Sequence, residues 1–245
     1  MGPLTTSLHN GASCVDGQGL VFDGIDDHAS LAPGQYLGPA VTLSVWVWYN
    51  AGAHSVTPLL DFENPGGGCG GDEIYMGDFP RVILHSSGRV TSSLPAPTGE
   101  WVHLVATAST AQGGTSNSMN IYLNGVLADT ASASVTQAMR SSLWVGRNTC
   151  SNTYLSGKIN SLEMWNSSLS DAQVSALHAA ASSAEHACNG VTKPRASYSW
   201  RSVASLNAAI FLVPHVDLCV SDALTTLMLS LLAACAAARI ALKSR

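Results

Sequence analysis

The chain has 245 residues, of which 46% are hydrophobic and only 11% charged; this is enough apolar material for a packed core and excludes a disordered polyelectrolyte. Charge is unevenly placed: residues 1–182 carry 13 carboxylates against 5 Lys and Arg, a formal −8, and the rest carries 3 against 6, a formal +3. An acidic folded part repels phosphate backbones, which disfavours nucleic acid as a partner and is compatible with a bound divalent cation.

The first residues, MGPLTTSLHNGASC, lack the basic start and apolar run of a secretory signal peptide. Gly2 with Thr6 formally fits a myristoylation pattern, with Pro3 an awkward neighbour of the acceptor glycine. From Gly19 to Asn166 short apolar or alternating runs are separated by Gly, Pro, Asn and Ser clusters, the pattern of an all-β domain. Strands are predicted near Leu20–Asp23, His28–Leu31, Val41–Tyr49, Pro58–Phe62, Glu73–Met76, Arg81–His85 and Val90–Ser92. Further strands are predicted at Trp101–Ala108, Met119–Leu123, Val126–Asp129, Leu143–Val145 and Lys158–Trp165. Asn124-Gly125 supplies the two positive φ angles of a tight hairpin turn. Trp101–Ala108 is apolar on both faces, as a central strand is.

After the last strand, Ser170 and Gln173 form a capping box, and Val174, Leu177 and Ala181 follow at helical spacing, so a short closing helix is predicted. Many short strands with turns between them specify a sandwich or barrel. Residues 183–245 differ in character. Val203–Val213 and Ala223–Ala238 are apolar, but each falls short of the roughly 18–20 residues of a membrane-spanning helix. This tail is expected to associate with a membrane, to lie loosely packed or unstructured, or to be an extension with no structural role.

DFENPGGGCGGDEIYMGDF gathers Asp61, Glu63, Asp72, Glu73 and Asp78 around a glycine-rich loop, where carboxylates would hold Ca²⁺ or sugar hydroxyls. The same residues would also serve as a solvated acidic loop. Gly66, Gly68 and Gly71 satisfy GxGxxG, but no helix follows and two carboxylates do, which excludes a dinucleotide site. Asp61 and Glu63 also have the i, i+2 spacing of paired glycosidase acids, while no GxSxG nucleophile elbow occurs. His103, between Val102 and Leu104, reads as a packed residue rather than a base.

Six cysteines (14, 69, 150, 188, 219 and 235) show no zinc-ligand spacing, which leaves disulfides or buried thiols. Cys69 with Cys150 and Cys14 with Cys188 is the expected pairing, one of three open to four cysteines. Asn166-Ser167-Ser168 is a glycosylation sequon.

GLVFDGIDDHASL (Gly19–Leu31) resembles the opening strand of the laminin G-like, concanavalin A-like lectin/glucanase superfamily. VTLSVWVWYN, GEWVHLVATAS, IYLNGVLADT, LWVGRN and GKINSLEMWNSSLSDAQVSAL are similar, in order, to its later strands, hairpin and closing helix. The resemblance covers Gly19–Leu177 and implies an antiparallel two-sheet jelly roll over residues 1–182. It also implies that Trp46, Trp101 and Trp165 are buried; Trp48 shares the face of Trp46 where the family tends to be more polar, and if exposed would stack on a sugar ring. Asp23 and the residue at 160 would share a structural Ca²⁺, although Asn160 stands where the family often has an acid. The functional expectation is a non-catalytic recognition module, extracellular or membrane-associated, binding a glycan or an extracellular protein through rim loops that include Asn148 and Asn152. A glycan-cleaving enzyme, or a structural or adhesion domain on a membrane-tethered protein, is the alternative, because this architecture hosts all of them.

Overall fold

A strand buries one face of its side chains, or both when it lies between layers, and here the alternating runs pair into two large sheets. The computed structural model describes residues 6–15, 17–33, 40–53, 55–63, 74–79, 83–85, 88–109, 118–132, 140, 142–148, 150–187, 201–202, 212–213 and 215–216. In chain order the first strands are β1 (Thr6–His9), β2 (Ser13–Val15), β3 (Gly19–Asp23), β4 (His28–Leu31), β5 (Ala40–Tyr49) and β6 (Pro58–Glu63). They are followed by β7 (Ile74–Gly77), β8 (Ile83–His85), β9 (Arg89–Thr91), β10 (Trp101–Ser109), β11 (Ser118–Leu123) and β12 (Val126–Ala131). β13 (Ser142–Val145), β14 (Arg147–Asn148), β15 (Thr153–Tyr154) and β16 (Ser156–Trp165) complete the sandwich, and helix α1 (Asp171–Ala187) follows. Three two-residue strands lie beyond it: β17 (Arg201–Ser202), β18 (Leu212–Val213) and β19 (His215–Val216).

One sheet runs β1-β4-β13-β6-β7-β8-β9 and the other β12-β11-β10-β5-β16-β3-β2, with β19 pairing beside β16. The chain changes sheet between β3 and β4, β4 and β5, and β5 and β6, so neighbours in sequence lie in opposite layers, as in a jelly roll. The described pairings are antiparallel. Between the layers lies one core. Leu20, Phe22, Leu43, Val45, Val47, Leu104 and Ile159 meet Ala29, Leu60, Phe62, Ile74, Met76, Leu143 and Val145, all essentially inaccessible.

β16 contributes Ile159, Leu162 and Met164 to that core. An unbroken strand would send residues 159 and 162 to opposite faces. A register shift between Ile159 and Ser161 resolves the conflict, with Asn160 as the extra residue of a β-bulge. Gly19 sits against this bulge with φ +76°, and a Cβ there would overlap the Ile159 carbonyl and the Asn160 Cα.

Helix α1 begins at the predicted box: the Ser170 N–H donates to Gln173 Oε1 (2.9 Å) and the Gln173 N–H reaches back to Ser170 Oγ (3.4 Å). It covers part of the outer face of the second sheet. Val174 packs on Val105 and Tyr122, the Tyr122 hydroxyl donates to Asp171 (2.8 Å), and Ser175 Oγ donates to the Gly125 carbonyl (2.8 Å). This cover explains why β5 and β10 are buried on both faces. The helix is longer than the short one predicted, and the predicted Asn124-Gly125 turn is present with φ of 49° and 79°. Most of both apolar tail stretches lies outside the described residues. Among the described residues no helix is long and apolar enough to cross a membrane.

Candidate functional site

The outer face of the first sheet carries an aromatic and basic cluster assembled from three of its strands and a hairpin. Register places Ser30, Trp144, Asp61 and Tyr75 in one row across β4, β13, β6 and β7, so their side chains share the face turned away from the core. β1 pairs His9 with His28 in the neighbouring row of the same face. The two imidazoles stack, with centroids 4.5 Å apart and planes at 11°, and Trp144 meets both edge-on, at 6.1 and 5.1 Å. His9 Nε2 lies 2.8 Å from Ser30 Oγ, and His28 Nδ1 donates to the Asp26 carbonyl (2.9 Å). Burial lowers the His28 pKa, and His9 and Arg147 beside it act in the same direction.

Beyond Trp144 the short hairpin of β14 and β15 folds over the cluster. It pairs Arg147 with Tyr154 and Asn148 with Thr153. The Arg147 guanidinium lies 4.9 Å from the Trp144 ring centroid and 5.9 Å from that of Tyr154, and Tyr154 is 6.1 Å from His28. His9, Trp144, Arg147 and Tyr154 are half-buried, leaving part of each ring or guanidinium in solvent. Such a surface offers apolar ring area for the C–H face of a sugar together with N–H donors for its oxygens.

The hairpin contains the predicted Asn148 and Asn152. Asn148 Oδ1 accepts from the Ser151 N–H (2.7 Å) and Ser151 Oγ (2.9 Å), and Asn152, at φ +50°, accepts from the Tyr154 hydroxyl (3.1 Å). Both shape the loop that carries Arg147 and Tyr154. Of the five residues in the cluster, none was predicted as a site residue, and His28 stood out only as a strand start. His28 and Trp144 stand in the segments GLVFDGIDDHASL and LWVGRN, but only register brings them together.

The acidic residues behave differently from the expectation. Asp61 is not a rim ligand: it is wholly buried in the middle of β6, between Trp144 and Tyr75 in register, so it is not an accessible member of a catalytic pair with the half-buried Glu63. Asp78 takes φ +68° and accepts from the Tyr75 hydroxyl (2.9 Å), while burial raises its pKa. Asp72 and Glu73 lie outside the described residues.

Asp23 and Asn160 do not share a cation. Asp23 pairs with Ser156, four residues along β16 from Asn160, about 13 Å at roughly 3.3 Å per residue. Asp23 Oδ1 instead accepts from the Ile25 (2.8 Å) and Asp26 (3.4 Å) N–H groups, and Asp27 Oδ2 from the Asp23 N–H (3.0 Å). Asp23, Asp26 and Asp27 present carboxylate oxygens within 4.8 Å of one another. That spacing fits oxygens 2.3–2.6 Å from one Ca²⁺. Burial, together with Asp23 and Asp26, raises the Asp27 pKa.

Trp48 is half-buried, with Trp101 edge-on at 5.9 Å and Lys158 Nζ 5.1 Å over its ring, where a stacked sugar would compete with the cation. Trp46 is buried, as expected, beneath a ring stack: His103 lies at 4.8 Å and His178 of α1 at 5.5 Å, both nearly parallel to it. Burial, helped by His178, lowers the His103 pKa to about 3, and its Nε2 lies 2.9 Å from Ser44 Oγ. His103 is thus a packed residue. Cys14 and Cys150 are each disulfide-bonded; Cys69 and Cys188, their expected partners, lie outside the described residues. Asn166 is exposed in the bend after β16.

Two antiparallel sheets wound as a jelly roll, with recognition-type side chains on an outer face, define a lectin-like β-sandwich. The chain belongs to the concanavalin A-like lectin/glucanases superfamily, whose laminin G-type family model matches residues 23–175. Similar solved structures include domain 4 of AbnA, a GH43 extracellular arabinanase from Geobacillus stearothermophilus, in complex with arabinotriose: 20% identity, TM-score 0.53, covering 72% of this chain and 88% of that one. The botulinum neurotoxin serotype G binding domain is 12% identical, with a TM-score of 0.52, covering 74% of this chain and 47% of that one. A Trypanosoma rangeli sialidase is 16% identical, with a TM-score of 0.50, covering 70% of this chain and 28% of that one. These likenesses establish the fold. The search of curated proteins found no match to this sequence.

Proposed function

We propose that this domain is a non-catalytic recognition module that binds carbohydrate at the Trp144 cluster on the outer face of the first sheet. The observation that carries the reading is the set of partly exposed rings, His9, Trp144 and Tyr154, held by three separate strands around Arg147. Half-buried aromatic and polar groups fixed on a rigid sheet are the means by which a sugar is held without reordering the protein. The arabinotriose bound by the arabinanase domain supports carbohydrate as the ligand class. Wholly buried Asp61 favours binding over hydrolysis by an Asp61–Glu63 pair.

An oxidising, extracellular setting accompanies this reading, supported by the disulfide-bonded Cys14 and Cys150. Asp23, Asp26 and Asp27 are proposed to take one Ca²⁺ at the domain's edge. In that case added Ca²⁺ raises the melting temperature and Asp26→Asn removes the rise; an identical melting temperature with Ca²⁺ and with chelator dismisses the ion.

The test of the module is a glycan array probed with the full chain, run beside an assay for reducing-end release from the same glycans. Binding without release, lost in Trp144→Ala and kept in Trp48→Ala, is the expected outcome. Release of reducing ends, or binding lost only in Trp48→Ala, would replace this reading.

A further inference from the structure

Arg147 is one of only five Lys and Arg among the 13 carboxylates of residues 1–182. In so acidic a domain an arginine ordinarily finds a carboxylate. Arg147 instead has no hydrogen bond or ion pair to any described residue, and its Nε is buried without an acceptor. Its visible partners are two ring faces, Trp144 and Tyr154. Trp144 Nε1, in the same cluster, is a second buried donor without an acceptor. Buried donors in folded proteins are almost always satisfied, and leaving one unmet is costly. The two orphan groups are both donors, one belongs to a permanent cation, and the rings of His9 and His28 flank them.

We infer that the saccharide bound at the Trp144 cluster is an acidic one, whose carboxylate or sulfate pairs with Arg147 while its ring lies against Trp144 and Tyr154. This inference rests on the recognition reading above and adds the charge of the ligand. Guanidinium is suited to the task because its planar fork matches two oxygens of either group while stacking on an aromatic ring. An exposed lysine would offer charge without the stacked plane, and a neutral sugar would leave the cation unmatched.

The experiment measures binding of the full chain to four probes: a galacturonate oligosaccharide, a sulfated oligosaccharide, a neutral galactose oligosaccharide of equal length, and inorganic sulfate. At least one acidic oligosaccharide is expected to bind more tightly than the neutral one and to weaken as salt rises. Which of the two binds distinguishes carboxylate from sulfate recognition. Arg147→Gln should weaken that binding about 10- to 100-fold, as loss of a charged hydrogen bond does. Arg147→Lys should recover only part of it, and unchanged melting curves for both variants show that the fold is intact. Equal affinity for neutral and acidic sugars, with Arg147→Gln indistinguishable from the parent, overturns the charge inference and leaves glycan recognition standing. Inorganic sulfate binding as tightly as the sulfated oligosaccharide also overturns it, since the rings would then contribute nothing. Absence of binding to any oligosaccharide here and on the array overturns both readings.

Discussion

His103 shows what burial costs a titratable side chain. Enclosed by Trp46, Ser44 and His178, it is held neutral in the folded state, with a pKa lowered to about 3 from an ordinary 6.5. The unfolded chain therefore takes up a proton there between about pH 6.5 and 3 that the folded chain does not. Stability is full above that window and falls as pH falls through it, by up to roughly 1.4 kcal/mol per pH unit for this one group. His28 and His178, also lowered, act in the same direction; Asp27 and Asp78, whose pKa values are raised, oppose it only in the carboxylate range. Melting measured between pH 7 and 5 should decline for the parent and decline less for His103→Asn, and equal slopes would place the titrating group elsewhere. The packed role of His103 was legible from its strand neighbours Val102 and Leu104. That of Asp61 was not: spacing put it beside Glu63 on a strand end, whereas register buries it between Trp144 and Tyr75.

At the scale of elements, the sandwich depends on two local devices. The Asn160 bulge lets Ile159 and Leu162 face the same core, and because Asn160 is the extra residue, deleting it should leave a regular strand with both still facing inward. We expect that deletion to keep cooperative melting; loss of the sharp transition would show that the bulge itself, with Gly19 packed against it, is required. The Ser170–Gln173 box starts α1, and Ser170→Ala should cost about 1 kcal/mol in urea unfolding. A change within error would mean that docking through Val174 alone holds the helix. The box and the Asn124-Gly125 turn were legible because each is a local chemical pattern. The bulge was not, since Ile159 and Leu162 read as one continuous strand, and β1 and β2 were missed because four- and three-residue edge strands carry too little alternation.

At the scale of the molecule, the fold was legible as an ordered series of strand patterns from Gly19 to Leu177, and the family match over residues 23–175 coincides with it. Removing core volume tests that scale directly: Leu104→Ala, at a fully buried position, should cost about 2–5 kcal/mol, measured by urea unfolding. The candidate site was much less legible, because residues 9, 28, 144, 147 and 154 are adjacent only after three strands and a hairpin pair. Sequence spacing favours contiguous loops such as Asp61–Asp78, whereas a sheet face is built from residues far apart in the chain.

The most direct measurement is an amide and indole ¹H–¹⁵N spectrum of the full chain, whose six tryptophans each give an indole N–H signal. The spectrum would be recorded with increasing galacturonate or sulfated oligosaccharide, with Trp144 assigned through Trp144→Phe. The structure leads us to expect a saturable shift of the Trp144 signal with those of Trp48 and Trp101 unmoved. Saturable shifts at Trp48 and Trp101 with Trp144 unmoved would place recognition on the opposite sheet and contradict the site proposed here.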